Sequence, residues 1–394
     1  MGAQFRFVHC ADLHLGARFR GMSSADPAAA ERMRRSVFES FGRIVDAGIA
    51  AKADAMFIAG DAFDEETVTP MTRQFLVDQL RRFGKPVFIC RGNHDPRTEW
   101  EDSMPYPENV HEFATEPEAL PIPGVDGAEA VGASFADWHE ERNLPSMIRG
   151  TPGKFTVACV HCDVGASTPE YDYSPCSETD FRGKGVDYWA IGHIHKRAIV
   201  SRDPWVVYSG NIQGRSFKET GEKGACIVTV RDGRVSDVDF VATQGIVWYD
   251  EVLDITGKTF DALAAELSDR VAPGSAVRVT LVGTGQLDRM AREKPEDMAR
   301  MLSQRIRSEV SGMEVRSMPE VDLEARRGGR DMLGLVISQG DSLRGSRKRI
   351  LAMLSRNPVL KTEMRRFEAM SDDELASLVD SAVRTLASRM EASR

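Results

Sequence analysis

The segment Phe5-Arg-Phe-Val-His-Cys-Ala-Asp-Leu-His-Leu-Gly16 places a strand pattern directly before two metal-ligand residue types. Residues 5–9 are mostly aromatic or β-branched, which predicts a strand. Asp12 and His14 follow it at once. A lone Asp-x-His pair is weak support for a metal site, because such pairs also occur in solvated turns. The interpretation therefore depends on whether other strand ends carry the same chemistry.

Four more predicted strands lead into residue types that bind metals. They are Ala55–Ala59 before Asp61 and Asp64, Pro86–Cys90 before Asn93 and His94, Phe155–Val160 before His161, and Tyr188–Ile191 before His193 and His195. In open α/β sheets, the loops at the carboxyl ends of the strands meet in one crevice, so we expect these segments to converge. Five of the eight histidines lie in these segments. The other three, His9, His111 and His139, are interpreted as ordinary core or surface side chains.

Two helical patterns separate the first three predicted strands. One begins near Pro27 and repeats apolar residues at helical spacing as far as Val45. The second begins at Thr69-Pro70. Later in the chain, a hairpin is predicted to turn at Asp232-Gly233. This order of elements indicates a layered α/β domain, to which we assign residues 1–243.

The second half of the chain has a different pattern. Residues 244–325 are predicted to form a small α+β domain, with strands at 248–255 and 276–282 and helices at 260–267 and 295–310. Residues 326–394 are polar and helical, and Ser371 with Glu374 forms a capping-box pattern before the last helix. We therefore expect three domains.

Composition excludes several classes of protein. The formal net charge of −9 argues against a broadly basic surface for nucleic acid. No apolar run approaches the roughly 18 residues of a membrane span, and no secretory signal pattern is present, so we expect a cytoplasmic protein without membrane contact. Cys159 and Cys162 are interpreted as buried thiols, since no second Cys-x-x-C completes a zinc site. The chain also has no P-loop motif for nucleotide hydrolysis.

Taken in order, the five ligand-bearing segments resemble the calcineurin-like metallophosphoesterases, specifically the SbcD-like and YhaO-like DNA repair exonucleases. The resemblance covers roughly residues 5–241 and includes the segment Tyr208-Ser-Gly-Asn-Ile-Gln-Gly-Arg215, in which Ser209 stands where many relatives have proline. It implies a layered metallophosphoesterase fold, a β-sandwich flanked by helices. It also implies that residues 244–325 are a capping domain and that residues 326–394 are a helical partner-binding region.

The resemblance also implies a site for two divalent metal ions. Asp12, His14 and His195 would hold one ion, Asn93, His161 and His193 the other, and Asp61 would bridge them. Mixed oxygen and imidazole ligation suits Mn²⁺, which we expect here, and would also accept iron or zinc. Such a metal pair activates a bridging hydroxide for attack on phosphorus. His94 is the candidate general acid, and Asp64 is expected to contact His94 and orient it.

The ligand charges favour phosphate chemistry independently of the resemblance. Two divalent ions carry four positive charges, whereas this ligand set offers only two carboxylates, so the site would attract an anionic phosphodiester. We therefore expect a Mn²⁺-dependent DNA exonuclease or endonuclease acting in DNA repair. A phosphatase or small-molecule phosphodiesterase remains an alternative, as does an interaction protein with a vestigial site. Glu65 and Asp95 differ from the protein phosphatase motifs and favour the nuclease, and the complete ligand set argues against a vestigial site.

Partners are also implied by the resemblance. Besides DNA, the chain is expected to act with an SMC-like coiled-coil ATPase in an assembly based on a homodimer. The C-terminal helices carry a set of basic residues, namely Arg344, Arg347, Lys348, Arg349, Arg356, Lys361, Arg365 and Arg366. These residues are either a solvated helical face or a surface that docks the ATPase or the DNA backbone.

Overall fold

The computed structural model describes residues 2–17, 27–64, 68–95, 104–165 and 173–392. The chain divides into two compact units. The first comprises Met1–Tyr249 with Gly274–Ala276, and the second comprises Asp250–Pro273 with Val277–Arg394. Among the helices in the described ranges, none combines the length and the apolar composition needed to cross a bilayer.

The described part of the first unit contains three α-helices and most of the strands. The helices are α1 (Pro27–Ala50), α2 (Pro70–Phe83) and α3 (Leu144–Met147). The strands are β1 (Phe5–Cys10), β2 (Ala55–Ala59), β3 (Val87–Cys90), β4 (Val110–Glu112), β5 (Glu118–Pro121), β6 (Ala128–Ala133), β7 (Phe155–His161), β8 (Asp163–Val164), β9 (Pro175–Cys176), β10 (Tyr188–Gly192), β11 (Ala198–Arg202), β12 (Trp205–Tyr208), β13 (Gly224–Arg231) and β14 (Arg234–Ala242). The next strand, β15 (Trp248–Asp254), continues into the second unit.

Two six-stranded sheets form this unit. Their strand orders are β14-β13-β1-β2-β3-β4 and β11-β12-β10-β7-β6-β5. Strands β1, β2 and β3 are adjacent and parallel, as are β7 and β10 in the other sheet. All five strands lead into the predicted ligand segments. Because paired parallel strands place their carboxyl ends at the same edge of a sheet, these segments lie close together.

The core of this unit lies between the two sheets. Side chains such as Phe7, Phe57 and Tyr188 are buried there and meet edge to face. Each fully buried large apolar side chain stabilises the fold by roughly 1.5–3 kcal/mol. Helices α1 and α2 cover the outer face of the first sheet, and α3 packs on the outer face of the second. The predicted β-sandwich flanked by helices is therefore confirmed.

Local sequence signals explain where the elements begin and end. Thr69 caps α2 by accepting a hydrogen bond from the backbone of Thr72, and Pro70 occupies the first helical turn. Gly84 ends α2 with a left-handed backbone. The predicted hairpin at Asp232-Gly233 joins β13 and β14.

The second unit combines a small sheet with helices. After β15 come α4 (Phe260–Arg270), β16 (Ala276–Val282), β17 (Thr284–Gly285), α5 (Leu287–Glu293), α6 (Pro295–Ile306), β18 (Glu309–Val315), β19 (Met318–Pro319), α7 (Leu323–Arg326), α8 (Met332–Arg344), α9 (Arg347–Leu354), α10 (Pro358–Lys361), α11 (Met364–Ala369) and α12 (Asp372–Ala392). The predicted helix over residues 295–310 was wrong at its end. Arg307 adopts a left-handed backbone that stops α6, and β18 begins two residues later.

Candidate metal centre

Backbone hydrogen bonds hold neighbouring strand ends together. The amide of Asp12 donates to the carbonyl of Gly60 at 3.0 Å, and the amide of His14 donates to the carbonyl of Asp61 at 2.9 Å. The loops after β1 and β2 therefore run side by side. From the other sheet, the amide of His193 donates to the carboxylate of Asp12 at 3.0 Å. Three of the five predicted segments are thus joined directly.

The backbone around these residues is strained. Eight non-glycine residues with positive φ are found in the described ranges, and four of them are Asp12, His14, Asp61 and His193. Such conformations cost of the order of 1–3 kcal/mol each and persist where the surrounding structure imposes them, most often at functional sites. This concentration in predicted ligands indicates that the loops are shaped for a function.

Two glycines leave room for the ligands. A Cβ atom at Gly60 would lie 2.2 Å from Nδ1 of His161, and Gly60 also has a φ of +88°. A Cβ atom at Gly92 would lie 2.3 Å from Oδ1 of Asp61. Any larger residue would therefore displace a predicted ligand at either position.

Ligand atoms from the two sheets meet in a first cluster. It consists of Asp12, His14 and His195, each of which contributes one atom within 4.8 Å of the others. The Nε2 atoms of His14 and His195 lie only 3.0 Å apart. Burial lowers the pKa of His14 well below its usual range, so its ring is neutral, which is the form that binds metals.

A second group of candidate ligand atoms comes from Asp61, Asn93 and His161. Nδ1 of His161 lies 3.0 Å from the carbonyl of Ala59, which can only accept, so this nitrogen carries the hydrogen. Nε2 of His161 faces Oδ1 of Asn93 at 3.1 Å and Oδ2 of Asp61 at 3.5 Å. Because both oxygens are acceptors, either a proton on Nε2 or a cation must lie between them and the ring nitrogen. The donor set therefore fits a bound cation.

The charge balance of the second group supports the same conclusion. Burial by itself would lower the pKa of His161, but the carboxylates of Asp61 and Asp12 outweigh it and raise the pKa. A proton on Nε2 is then the simplest positive charge that these carboxylates can attract. A divalent cation at this point would replace that proton and neutralise more of the carboxylate charge.

Asp61 lies between the two groups. Its Oδ2 is 3.7 Å from Nε2 of His14 and 3.5 Å from Nε2 of His161. Its Oδ1 accepts a hydrogen bond from the backbone amide of His94 at 2.9 Å. The carboxylate therefore faces both groups at once.

His193 lies beside these groups without joining a cluster. Its ring packs against the His161 ring with centroids 5.2 Å apart, and burial lowers its pKa to about 3. The described clusters of converging ligand atoms include no ring nitrogen of His193. Its Nε2 instead lies 3.9 Å from Oδ2 of Asp163.

Sequence comparison places this arrangement in a known family. Residues 5–197 match the model of the calcineurin-like phosphoesterase family. The metallophosphoesterase YhaO of Bacillus subtilis, described as uncharacterized, is 34% identical over 304 residues, which cover 74% of each chain. The chain belongs to the calcineurin-like phosphoesterases.

Two further relatives of this phosphoesterase carry names that refer to DNA repair or to a nuclease. The DNA double-strand break repair protein Mre11 of Methanopyrus kandleri is 24% identical over 315 residues, covering 71% of this chain and 65% of the relative. The SbcD component of the nuclease SbcCD of Escherichia coli is 24% identical over 279 residues, covering 59% of this chain and 67% of the relative. The family resemblance inferred from the sequence motifs is therefore confirmed.

The phosphoesterase carries His94 on the open side of the cluster. Its side chain is 41% exposed, and its ring centroid lies 4.9 Å from that of His14. Nδ1 of His94 is 3.9 Å from Oδ1 of Asp64, so the expected pair is within ion-pair range but too long for a hydrogen bond. Asp64 is held on its other side by the guanidinium of Arg215 at 3.3 Å.

Three residues of this phosphoesterase site were not predicted from the sequence to take part in it. Asp95 is buried and accepts hydrogen bonds from the amides of Ala62 and Phe63, so it ties the loop of Asp61 to the loop of Asn93. Glu219 and Arg215 follow β12 and contact His195 and Asp64, respectively. In the sequence, Asp95 was noted only as a difference from the protein phosphatase motif. Nothing in the local sequence distinguishes Glu219 from the acidic residues around it.

The histidines interpreted as ordinary side chains lie apart from the ligand clusters. His9 is buried with Nδ1 3.0 Å from the hydroxyl of Tyr188, and His111 pairs with Glu118 at 2.9 Å. His139 is exposed and stacks on Tyr173. Residue 65, which contributed to the motif comparison, is outside the described residues.

Proposed function

We propose that this phosphoesterase is a Mn²⁺-dependent nuclease that hydrolyses phosphodiester bonds in DNA. The observation that supports it most strongly is the convergence of metal-ligand atoms from Asp61, Asn93 and His161, with His94 on the exposed side. Such a set of atoms fits a bound cation, and it leaves one face open to an anionic substrate. The proposed ligands are the seven residues Asp12, His14, Asp61, Asn93, His161, His193 and His195.

The net charge of the centre favours phosphate over other ligands. When bound, two divalent cations supply Lewis-acid charge and activate water for in-line attack on phosphorus. The chain itself contributes two carboxylates and five neutral ligands to the proposed set, so the loaded centre is positive. A phosphodiester is therefore attracted locally although the whole chain carries a formal charge of −9.

His94 is the residue proposed to protonate the leaving oxygen. Its exposed ring lies beside His14, where a substrate above the centre can reach it. Asp64, held by Arg215, faces Nδ1 of His94 and leaves Nε2 available to the substrate. This arrangement of acid and orienting carboxylate is typical of general acid catalysis.

DNA is favoured as substrate by two observations. The relatives from Methanopyrus kandleri and Escherichia coli are described as a DNA double-strand break repair protein and as part of a nuclease. In addition, Glu65 and Asp95 occupy positions where protein phosphatases of the same superfamily carry arginine and glutamate. Both observations support a phosphodiesterase acting on DNA over a phosphatase.

The proposal is tested with end-labelled duplex DNA and p-nitrophenyl phosphate, each with Mn²⁺. We expect the DNA to be degraded, the activity to disappear with EDTA, and added Mn²⁺ to restore it, because the acceptor clusters bind substrate only through cations. The lengths of the labelled products report the direction of cleavage. A His161→Ala protein purified in parallel should be inactive, which excludes a contaminating nuclease.

A protein that hydrolyses p-nitrophenyl phosphate but leaves every DNA substrate intact would contradict the nuclease proposal. That result would favour the phosphatase alternative on the same site. If protein shown to contain Mn²⁺ hydrolysed neither substrate, both the nuclease proposal and the phosphatase alternative would be contradicted.

We also propose that the helical region 326–394 docks an SMC-like coiled-coil ATPase. Helices α8, α9 and α12 line an apolar groove of about 420 Å³. Along it, Met332, Leu335 and Met353 are 66%, 54% and 51% exposed. Exposed apolar grooves of this kind accept helical partners, and the relative from Escherichia coli is itself one component of the nuclease SbcCD.

Leu335→Glu is expected to abolish co-purification of such an ATPase with the tagged chain, because it places a charge in the apolar groove. Metal-dependent hydrolysis by the isolated chain should be unchanged. Met71 is 84% exposed on α2, so Met71→Glu is a matched control that should retain the ATPase. Equal capture by wild type and Leu335→Glu would rule out docking in this groove.

A further inference from the structure

Glu219 lies in the loop between β12 and β13, and its carboxylate is at the centre of three contacts. Oε1 is 2.7 Å from Nδ1 of His195. Oε2 accepts from Nδ2 of Asn211 at 3.0 Å and from the backbone amide of Arg215 at 2.7 Å. The side chain is only 16% exposed, so these contacts are shielded from water.

The contacts of this carboxylate fix the tautomer of His195. Both partners of Oε2 are N–H groups that donate to it, so the side chain acts as a hydrogen-bond acceptor. Oε1 faces Nδ1 of His195 as an acceptor in the same way. Nδ1 of His195 must then carry the hydrogen, which leaves the lone pair on Nε2, the atom that faces Nε2 of His14 at 3.0 Å.

We propose that Glu219 is a positioning residue that holds the His195 ring in the tautomer and orientation required to bind a metal ion. The inference deepens the proposed function and rests on its metal centre. A ligating imidazole that donates its second N–H to a carboxylate is fixed in direction and made a stronger ligand. Glu219 supplies that carboxylate for the cation position shared by Asp12, His14 and His195.

The same carboxylate also connects the two sides of the centre. Through the amide of Arg215 it fixes the loop from which the Arg215 guanidinium reaches Asp64 at 3.3 Å. Asp64 in turn faces His94 at 3.9 Å. Loss of Glu219 should therefore weaken one cation position directly and loosen the support of Asp64 as a secondary effect.

The test compares Mn²⁺ binding by the metal-free full chain and by Glu219→Gln, using calorimetric titration. Glutamine keeps the size of the side chain, but its amide nitrogen cannot accept hydrogen bonds from His195, Asn211 or Arg215. We expect one of two Mn²⁺ equivalents to bind about 10- to 100-fold more weakly, which is the usual effect of losing such a partner. The other equivalent should retain the affinity of the wild type.

Two variants separate positioning from a merely structural role. Glu222→Gln removes the same charge from an exposed position three residues away and should bind both ions like the wild type. Glu219→Asp restores the charge with a shorter reach and should recover part of the lost affinity. Circular dichroism of each metal-free variant confirms that the fold is retained.

Wild-type Mn²⁺ affinity at both positions in Glu219→Gln would overturn the inference. Equal weakening of both positions would also overturn it, because it would indicate general loosening of the loops. The readout needs no substrate, so it separates this inference from the nuclease proposal. A wild-type chain that binds two Mn²⁺ but leaves DNA intact refutes the proposed function alone.

Discussion

Asp61→Asn is expected to reduce hydrolysis of DNA by ~10³-fold or more, because its carboxylate faces both proposed cation positions. Loss of a partner that only orients a ligand already costs roughly 10- to 100-fold in metal affinity, and loss of a bridging charge should cost more. Asparagine keeps the shape and can still accept the hydrogen bond from the amide of His94. Titration with Mn²⁺ should show that both equivalents are weakened.

Without metal, the same substitution is not expected to lower the stability of the fold. In the metal-free chain, burial raises the pKa values of Asp12 and Asp95, and the charge of Asp61 raises both further. These shifts mean that the charge of Asp61 disfavours the ionised forms of Asp12 and Asp95 when no cation is bound. Metal-free Asp61→Asn should therefore unfold at a temperature no lower than the metal-free wild type, whereas Mn²⁺ should stabilise only the wild type strongly. If Asp61→Asn bound two Mn²⁺ ions with the affinity of the wild type, the bridging role of Asp61 would be excluded.

His94→Ala is expected to lower turnover of DNA by about 10²- to 10⁴-fold, the usual contribution of a general acid. Both Mn²⁺ equivalents should still bind, because His94 is outside the proposed ligand set. The loss should be much smaller on a thymidine p-nitrophenyl phosphodiester. A nitrophenolate leaves without a proton, whereas the alkoxide released from DNA needs one.

Asp64→Asn is the matched comparison for His94→Ala. Its carboxylate is 3.9 Å from Nδ1 of His94, so its loss should disturb the orientation of the ring and change the pH profile while removing less activity. If His94→Ala lowered turnover of the DNA and nitrophenyl substrates by the same factor, His94 would not act as the general acid. Unchanged turnover and pH profile in Asp64→Asn would exclude its orienting role.

The ligand segments were predictable because their signals are local. Each predicted site residue follows a strand that is recognisable from its own composition, and parallel strands must bring their carboxyl ends to one edge. The layered sandwich followed from the same pattern. The end of α6 was not predictable, because the apolar spacing continues to Val310 while the left-handed backbone at Arg307 ends the helix.

Other parts of the site depend on packing between distant residues. Glu219 meets His195 24 positions away, and Asp95 meets Ala62 33 positions away. No spacing rule relates such partners, since their proximity depends on the order of the strands in the sheets and on the path of the loop between β12 and β13.

The sequence by itself therefore determined which residue types stand at the strand ends, and with them the kind of chemistry that this protein can perform. Only the tertiary structure decided which acceptor atoms face one another, which carboxylate sets the tautomer of His195, and how far Asp64 stands from His94. The physical reason is that these features depend on interactions between residues at different separations in the chain. Strand composition and turn geometry act between neighbours in the chain, whereas hydrogen-bond direction and electrostatic shifts depend on atoms that only folding brings together.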